Sequence, residues 1–433
     1  MTDTTNTSKN TTATFEDQAV KGEASSAEAI FGKTAKPMFG RDRKKSPLKI
    51  GLTVILLLTV FLLPLYLQAA GGSPLGSPLL PGLVFIGLSA ILALGLNIII
   101  GYAGMLDFGR MAFYAIGAYA AMLIVPTLAG VLTDTPFAQL ALPIIVIFAG
   151  LVASFAGWLL SLPVMRLRGD YLAIVTLAFG EIVRLVLSNN PGGLTGGMSG
   201  LSRAHMIELP FFAWLRANVY WAPSNDFILQ VSTNLYWYYV VLFLLIIAIV
   251  VVRNQDHSRL GRSWAAMRED EVAATAMGVN VTRAKTWAFV LGSFWGGAAG
   301  ACFGFYMGTV TPESFNFFNS VVVLATVVVG GMGSISGVLL GSVLIVGSPE
   351  LIRWLAMNHL GQAGGELQSL IANLRNLLLG LLMVLMMIFR TEGLIPMKPK
   401  FYKLYGKSKS NEGDSVDSDA GTVAEAAPKG GAN

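Results

Sequence analysis

The stretch TWAFVLGSFWGGAAGACFGFYMG, Thr286–Gly308, carries no charged residue, and its glycines at 292, 296, 300, 304 and 308 recur every four positions. At 1.5 Å per helical residue it is long enough to cross a hydrocarbon core of about 30 Å. A glycine every fourth residue puts bare backbone along one helix face and invites a second helix to approach closely. The sequence leaves open whether that second helix belongs to the same chain or to a partner subunit. The chain as a whole fits a membrane setting: 54% of its residues are hydrophobic, 13% are charged, and mean hydropathy is +0.63. A soluble fold has no means of hiding so many helices that are apolar all round.

Working outward, further apolar spans lie near Ile50–Gln68, Leu80–Ile100, Met111–Gly130, Leu140–Met165, Tyr171–Ser188, Leu235–Val252 and Leu370–Phe389, with a glycine-interrupted run at Ser320–Gly347. With RDRKK (Arg41–Lys45) placed in the cytoplasm and sides alternating, nineteen Lys and Arg fall inside, Arg110 among them. Three, Arg203, Arg216 and Arg353, fall outside. This bias sets the orientation and accounts for the basic pI without nucleic acid. It also requires Ser320–Gly347 to cross twice or to return to its own side, because a single crossing would put KPKFYKLYGK outside. The break falls near Gly330, Gly331 and Gly333, as an element of a transport path or as a tight turn between packed helices.

The expected fold class is therefore an all-α polytopic membrane protein with about eight to ten transmembrane helices or re-entrant elements. Residues 1–45 and 398–433 read as polar, disordered cytoplasmic tails around a membrane domain spanning 46–397. The single cysteine, Cys302, excludes an intrachain disulfide, and His205, His257 and His359 are too scattered to suggest a metal site. Phosphate-loop candidates fail. Ala27 stands where the loop before Gly32-Lys33-Thr34 needs glycine, and Phe401 does so before Gly406-Lys407-Ser408.

Just before the quoted span comes GRSWAAMREDEVAATAMGVN, Gly261–Asn280, a polar island on the expected cytoplasmic side. It reads as one helix of about ten residues with Glu269, Asp270 and Glu271 in its first turn. Val272, Ala273, Ala276 and Met277 form an apolar stripe, Gly278 ends the helix and Asn280 or Thr282 caps the next one. A helix this short needs something to pack on, either its own bundle and the lipid headgroups or a partner protein. Within the fifth span Glu181 and Arg184 are spaced to pair, as a structural ion pair or as part of a proton relay. Asp107 and Arg110 read as a structural pair at a turn near the cytoplasmic face.

GYAGMLDFGRMAFYAIGAYAAML (Gly101–Leu123), RLRGDYLAIVTLAFGEIVRLVLSN, LTGGMSGL, the polar island, TPESFNFF, VVVGGMGSISGVLLGS and RTEGLIP (Arg390–Pro396) together resemble the membrane permease subunits of branched-chain amino-acid ABC importers. Order and spacing are closer to the M-type subunit than to its H-type sister. The resemblance implies a multi-pass permease of the bacterial inner membrane with both termini cytoplasmic, and no enzyme. It would carry no cofactor of its own, since two separate cytoplasmic ATPase subunits bind the ATP. A sister permease and a periplasmic substrate-binding protein complete the implied partners. Arg268, Glu269, Asp270, Glu271, Ala273, Ala274 and Gly278 would form the ATPase-coupling helix. PGGLTGG (Pro191–Gly197) would lie where the loaded binding protein docks, and it reads equally as a plain flexible loop. Two alternatives are a related importer for urea or short amides, and an ion-coupled secondary carrier using Glu181.

Overall fold

The computed structural model describes residues 76–132, 141–165, 167, 170–202, 226–359 and short pieces between 380 and 395. The expected span Ile50–Gln68, both polar tails, Arg166, Arg168, Arg203, Arg216 and most of Leu370–Phe389 lie outside these residues.

The helices, in chain order, are α1 Gly76–Asn97, α2 Arg110–Leu132, α3 Ala141–Val164, α4 Asp170–Ser188, α5 Asp226–Asp256, α6 Arg259–Glu269, α7 Glu271–Ala276, α8 Val281–Met307, α9 Phe317–Gly330 and α10 Ile335–His359. A π-turn at Ile98–Tyr102 extends α1. Five described helices are long and apolar enough to span a membrane, and three shorter apolar helices begin at Arg110, Phe317 and Ile335. A two-residue ribbon pairs β1 (Leu201–Ser202) with β2 (Thr309–Val310), antiparallel, with Leu201 opposite Val310.

The span α8 is the central helix, and its small residues explain why. A Cβ added at Gly300 would run into the Tyr114 carbonyl of α2, and one at Gly292 would come within 3.0 Å of the Gly95 carbonyl of α1. Gly296 faces Phe113 and Arg110, and Gly304 faces Val310 and Ala118. The glycine face thus meets two helices of the same chain. Gly308 departs from the ladder reading: it ends α8 with φ +68, and a Cβ there would touch nothing within 4 Å. Its role is the left-handed cap, which glycine adopts without the usual Cβ penalty. A second small-residue contact lies off the ladder, where Gly297 packs against Gly117 of α2 and Ala149 and Ala153 of α3.

The interrupted run becomes a helical hairpin. Gly330 of α9 abuts the Gly337 backbone of α10, and Gly341 abuts the Thr326 carbonyl, so the two helices run antiparallel in close contact. Gly331 (φ 119) and Gly333 (φ 84) make the turn. Leu394 and Ile395 then donate their amides to the Val329 and Gly330 carbonyls at 3.0 and 3.1 Å, satisfying acceptors that a helix end leaves open. This ties RTEGLIP to VVVGGMGS.

Candidate functional site

Two neighbouring features stand out: the α6–α7 elbow and a break in the helical backbone between α1 and α2.

The elbow is two helices rather than one. Ser258 caps α6, its Oγ accepting the Gly261 amide at 3.3 Å. Asp270 then turns extended (φ −156, ψ 117) and its carboxylate accepts the Val272 and Ala273 amides at 2.7 and 3.0 Å. A short carboxylate competes for nearby backbone donors better than it propagates a helix, so the chain breaks there. Those two amides, Ala273 foremost, hold the Asp270 carboxyl below its ordinary value. The three acids therefore share no first turn: Glu269 closes α6, Asp270 caps α7 and Glu271 opens it. Gly278 (φ +83) stops the elbow, and Asn280 caps α8 through the Arg283 amide at 3.0 Å.

The elbow is fastened to the bundle at three points. Trp264, fully buried, donates its indole N–H to the Ala284 carbonyl at 2.8 Å. Buried Lys285 meets the Glu271 carboxylate at 2.7 Å. Arg268 donates to the Gly101 carbonyl at 2.6 Å and lies over Gly104, which has φ +72. Ala274 packs inward, while Ala273 and Ala276 are exposed. Val272 is 66% exposed and Met277 85%, so nothing among the described residues covers this stripe.

Gly101 belongs to the second feature. From Ile98 to Gly109 the chain is a π-turn followed by coil, wedged between helices. Buried backbone without regular structure needs other hydrogen-bond partners. Thr176 of α4 takes the Phe108 amide at 3.1 Å, Asp107 the Gly109 amide at 2.9 Å and Ser320 of α9 the Met111 amide at 3.2 Å. The Asn97 side-chain oxygen accepts the Gly333 amide at 2.8 Å and so locks this segment to the hairpin turn.

Arg110 lies deeper than the sequence suggested. It is fully buried and donates to the Gly292 carbonyl at 2.6 Å, with Gly95 and Gly296 making room for its guanidinium. Gly292 is eleven residues into α8, about 16 Å along it. Arg110 is thus a core residue, not a residue of a membrane-face turn, and it drops out of the charge count. No hydrogen bond joins it to buried Asp107; among the described residues, Arg110 Nε and Nη1 and Asp107 Oδ2 find no partner.

Glu181 and Arg184 do pair: Arg184 Nε donates to Glu181 at 2.9 Å, and its Nη1 donates to Glu313 at 3.1 Å. Glu313 lies in the short 3₁₀ turn Pro312–Phe315, within TPESFNFF, and nothing in its local sequence marks it as a partner of Arg184. Pro191–Gly197 is organised around Asn190 (φ 51), whose side-chain oxygen accepts the Thr195 and Gly196 amides at 2.9 and 3.0 Å.

A family profile described as "Branched-chain amino acid transport system / permease component" matches residues 79–387. The high-affinity branched-chain amino acid transport system permease protein LivM of Salmonella typhimurium is 40% identical over 329 residues, covering 74% of this chain and 71% of that protein. A probable LivM permease of Methanocaldococcus jannaschii is 27% identical over 348 residues, covering 73% of this chain and 93% of the relative. The LivH permease of Escherichia coli is 26% identical over 263 residues, covering 61% of this chain and 80% of the relative. No solved structure matches the chain.

Proposed function

We propose, from the fact that this chain belongs to the permease component family of branched-chain amino acid transport systems, that it forms half of the translocation path of an ATP-driven importer for branched-chain amino acids. Its partners are a sister permease, two separate ATPase subunits and a substrate-binding protein on the opposite side of the membrane. The α6–α7 elbow faces the cytoplasm of the bacterial inner membrane, and it is where ATP-driven movement enters the permease.

One observation carries the coupling role: the exposed stripe of Val272 and Met277 on an elbow whose other side is fastened to the bundle. A short helix held rigidly behind and left apolar in front transmits a push from a groove that receives it. Arg268 and the Gly101 carbonyl continue the connection to the broken backbone between α1 and α2. Because Lys285 already neutralises Glu271, contact with the ATPase relies on the apolar stripe and on exposed Glu269 rather than on Glu271.

Co-purification tests this. With the Val272→Asp, Met277→Asp double variant, the ATPase subunits are expected to be lost while the sister permease is retained. Full retention of the ATPases would remove the elbow from the interface.

A further inference from the structure

The apolar length of α8 serves as a ruler: from Trp287 to Met307 it rises about 30 Å, the thickness of a hydrocarbon core. Phe315 lies within that length, with its ring 5.7 Å from that of Tyr114 and 6.0 Å from that of Phe303. The Val310 carbonyl accepts the Tyr119 hydroxyl at 3.3 Å. After leaving α8, the chain therefore turns back into the apolar layer and runs through it without α-helix until α9 begins at Phe317. Such backbone is tolerated at this depth only against protein or water.

The span α4 stands beside it. Thr176 is level with Phe108 and Gly109, next to Arg110. Glu181 and Arg184 follow at about 8 and 12 Å further along the helix, still roughly 5–15 Å short of the level of Met307. Yet Glu181 is 35% exposed, Arg184 24% and Glu313 60%. Acyl chains do not accommodate three ionised groups left open in this way. Leu185, one turn beyond Glu181, is exposed beside them.

We infer that Glu181, Arg184 and Glu313 wall a water-filled path open to the side opposite the elbow, and bind the charged groups of a free α-amino acid in transit. This rests on the importer reading above and deepens it. Arg184 uses Nε and Nη1 on the two carboxylates, and a guanidinium has five N–H donors, so it retains donors for the substrate carboxylate. Glu313, the most exposed of the three, takes the ammonium group. Leu185 offers apolar surface to a branched side chain. The Glu181–Arg184 pair is thereby a fixed substrate-binding pair.

The test uses the complete transporter in inside-sealed proteoliposomes, with Cys302→Ala and one new cysteine at a time, and an impermeant sulfonate thiol reagent added outside. Leu185→Cys should react about tenfold faster or more than Phe155→Cys or Leu159→Cys on the exposed apolar face of α3, because only a thiol in water ionises to the reactive thiolate. Saturating leucine should slow labelling of Leu185→Cys, and isoamyl alcohol, which lacks both charges, should not. Arg184→Gln and, separately, Glu313→Gln should abolish the leucine effect while labelling persists. Equal rates at 185 and 155 would overturn the water-filled path, and labelling indifferent to leucine would overturn the site. Glu313, the most exposed of the three, keeps the test decisive if Arg184→Gln assembles poorly. Labelling needs no ATP, so its failure is distinct from a failure of ATP-driven uptake.

Discussion

Lys285 on α8 grips the Glu271 carboxylate of α7 at 2.7 Å while its own side chain is almost wholly enclosed. Removing one member leaves the other short of its counter-charge, which is costlier than never having had the pair. Glu271→Ala should loosen α7 by about 1–3 kcal/mol, read as faster proteolysis between Arg268 and Asn280. The exchange Glu271→Lys with Lys285→Glu should restore much of the protection. Unchanged proteolysis in Glu271→Ala would mean that the pair does not hold the elbow.

Asp270 separates the two elbow helices, and its cap has a definite pH dependence. Its folded carboxyl titrates below its unfolded value, so its stabilisation is complete above the unfolded value and fades as pH falls through the folded one. Protection of the Val272 and Ala273 amides, taken relative to the intrinsic exchange rate, should therefore fall on acidification only at pH below about 4. Asp270→Asn should keep the cap without that dependence, and Asp270→Ala should lose protection at both amides at every pH.

Gly300 and Gly308 belong to one sequence ladder and differ in consequence. Gly300→Ala drives a methyl into the Tyr114 carbonyl, an overpacking typically worth about 1–3 kcal/mol, and should lower the yield of folded protein. A Cβ at Gly308 meets no neighbour and Asn accepts the left-handed conformation, so the yield of Gly308→Asn should stay close to wild type. Equal yields from the two variants would show that the α2–α8 contact is looser than described.

Arg110 and Asp107 are charges of opposite sign buried in one core without a direct bond. Arg110→Leu should assemble poorly, because it strands Asp107. Adding Asp107→Asn should recover part of the folded yield, since the double variant leaves no lone charge. A double variant worse than either single one would exclude this coupling.

How much was legible follows the reach of each signal. Gly278, Asn280 and the Gly330–Ser334 turn act through their own backbone, so local sequence shows them. The split at Asp270 is local too, yet helix-forming Glu and Ala on both sides mask it, and only the cap geometry reveals it. The place of Arg110 is not legible locally: a coil next to a charge reads as a membrane-face turn, whereas Thr176 and Ser320, distant in sequence, shelter that coil inside the bundle. The Glu313–Arg184 contact is hidden for the same reason: the two residues are 129 positions apart. Gly117 and Gly297 show no period, and only tertiary contact identifies them.

Uptake by the reconstituted assembly separates ATP-driven import from ion-coupled transport. Both permeases, the ATPase subunits and the binding protein would be placed in proteoliposomes, and labelled leucine uptake measured with ATP or ADP on the elbow side at clamped pH. Uptake should require ATP and the ATPase subunits and be unaffected by a protonophore at constant ATP. Uptake that proceeds without the ATPases and collapses with the proton gradient would contradict ATP-driven import.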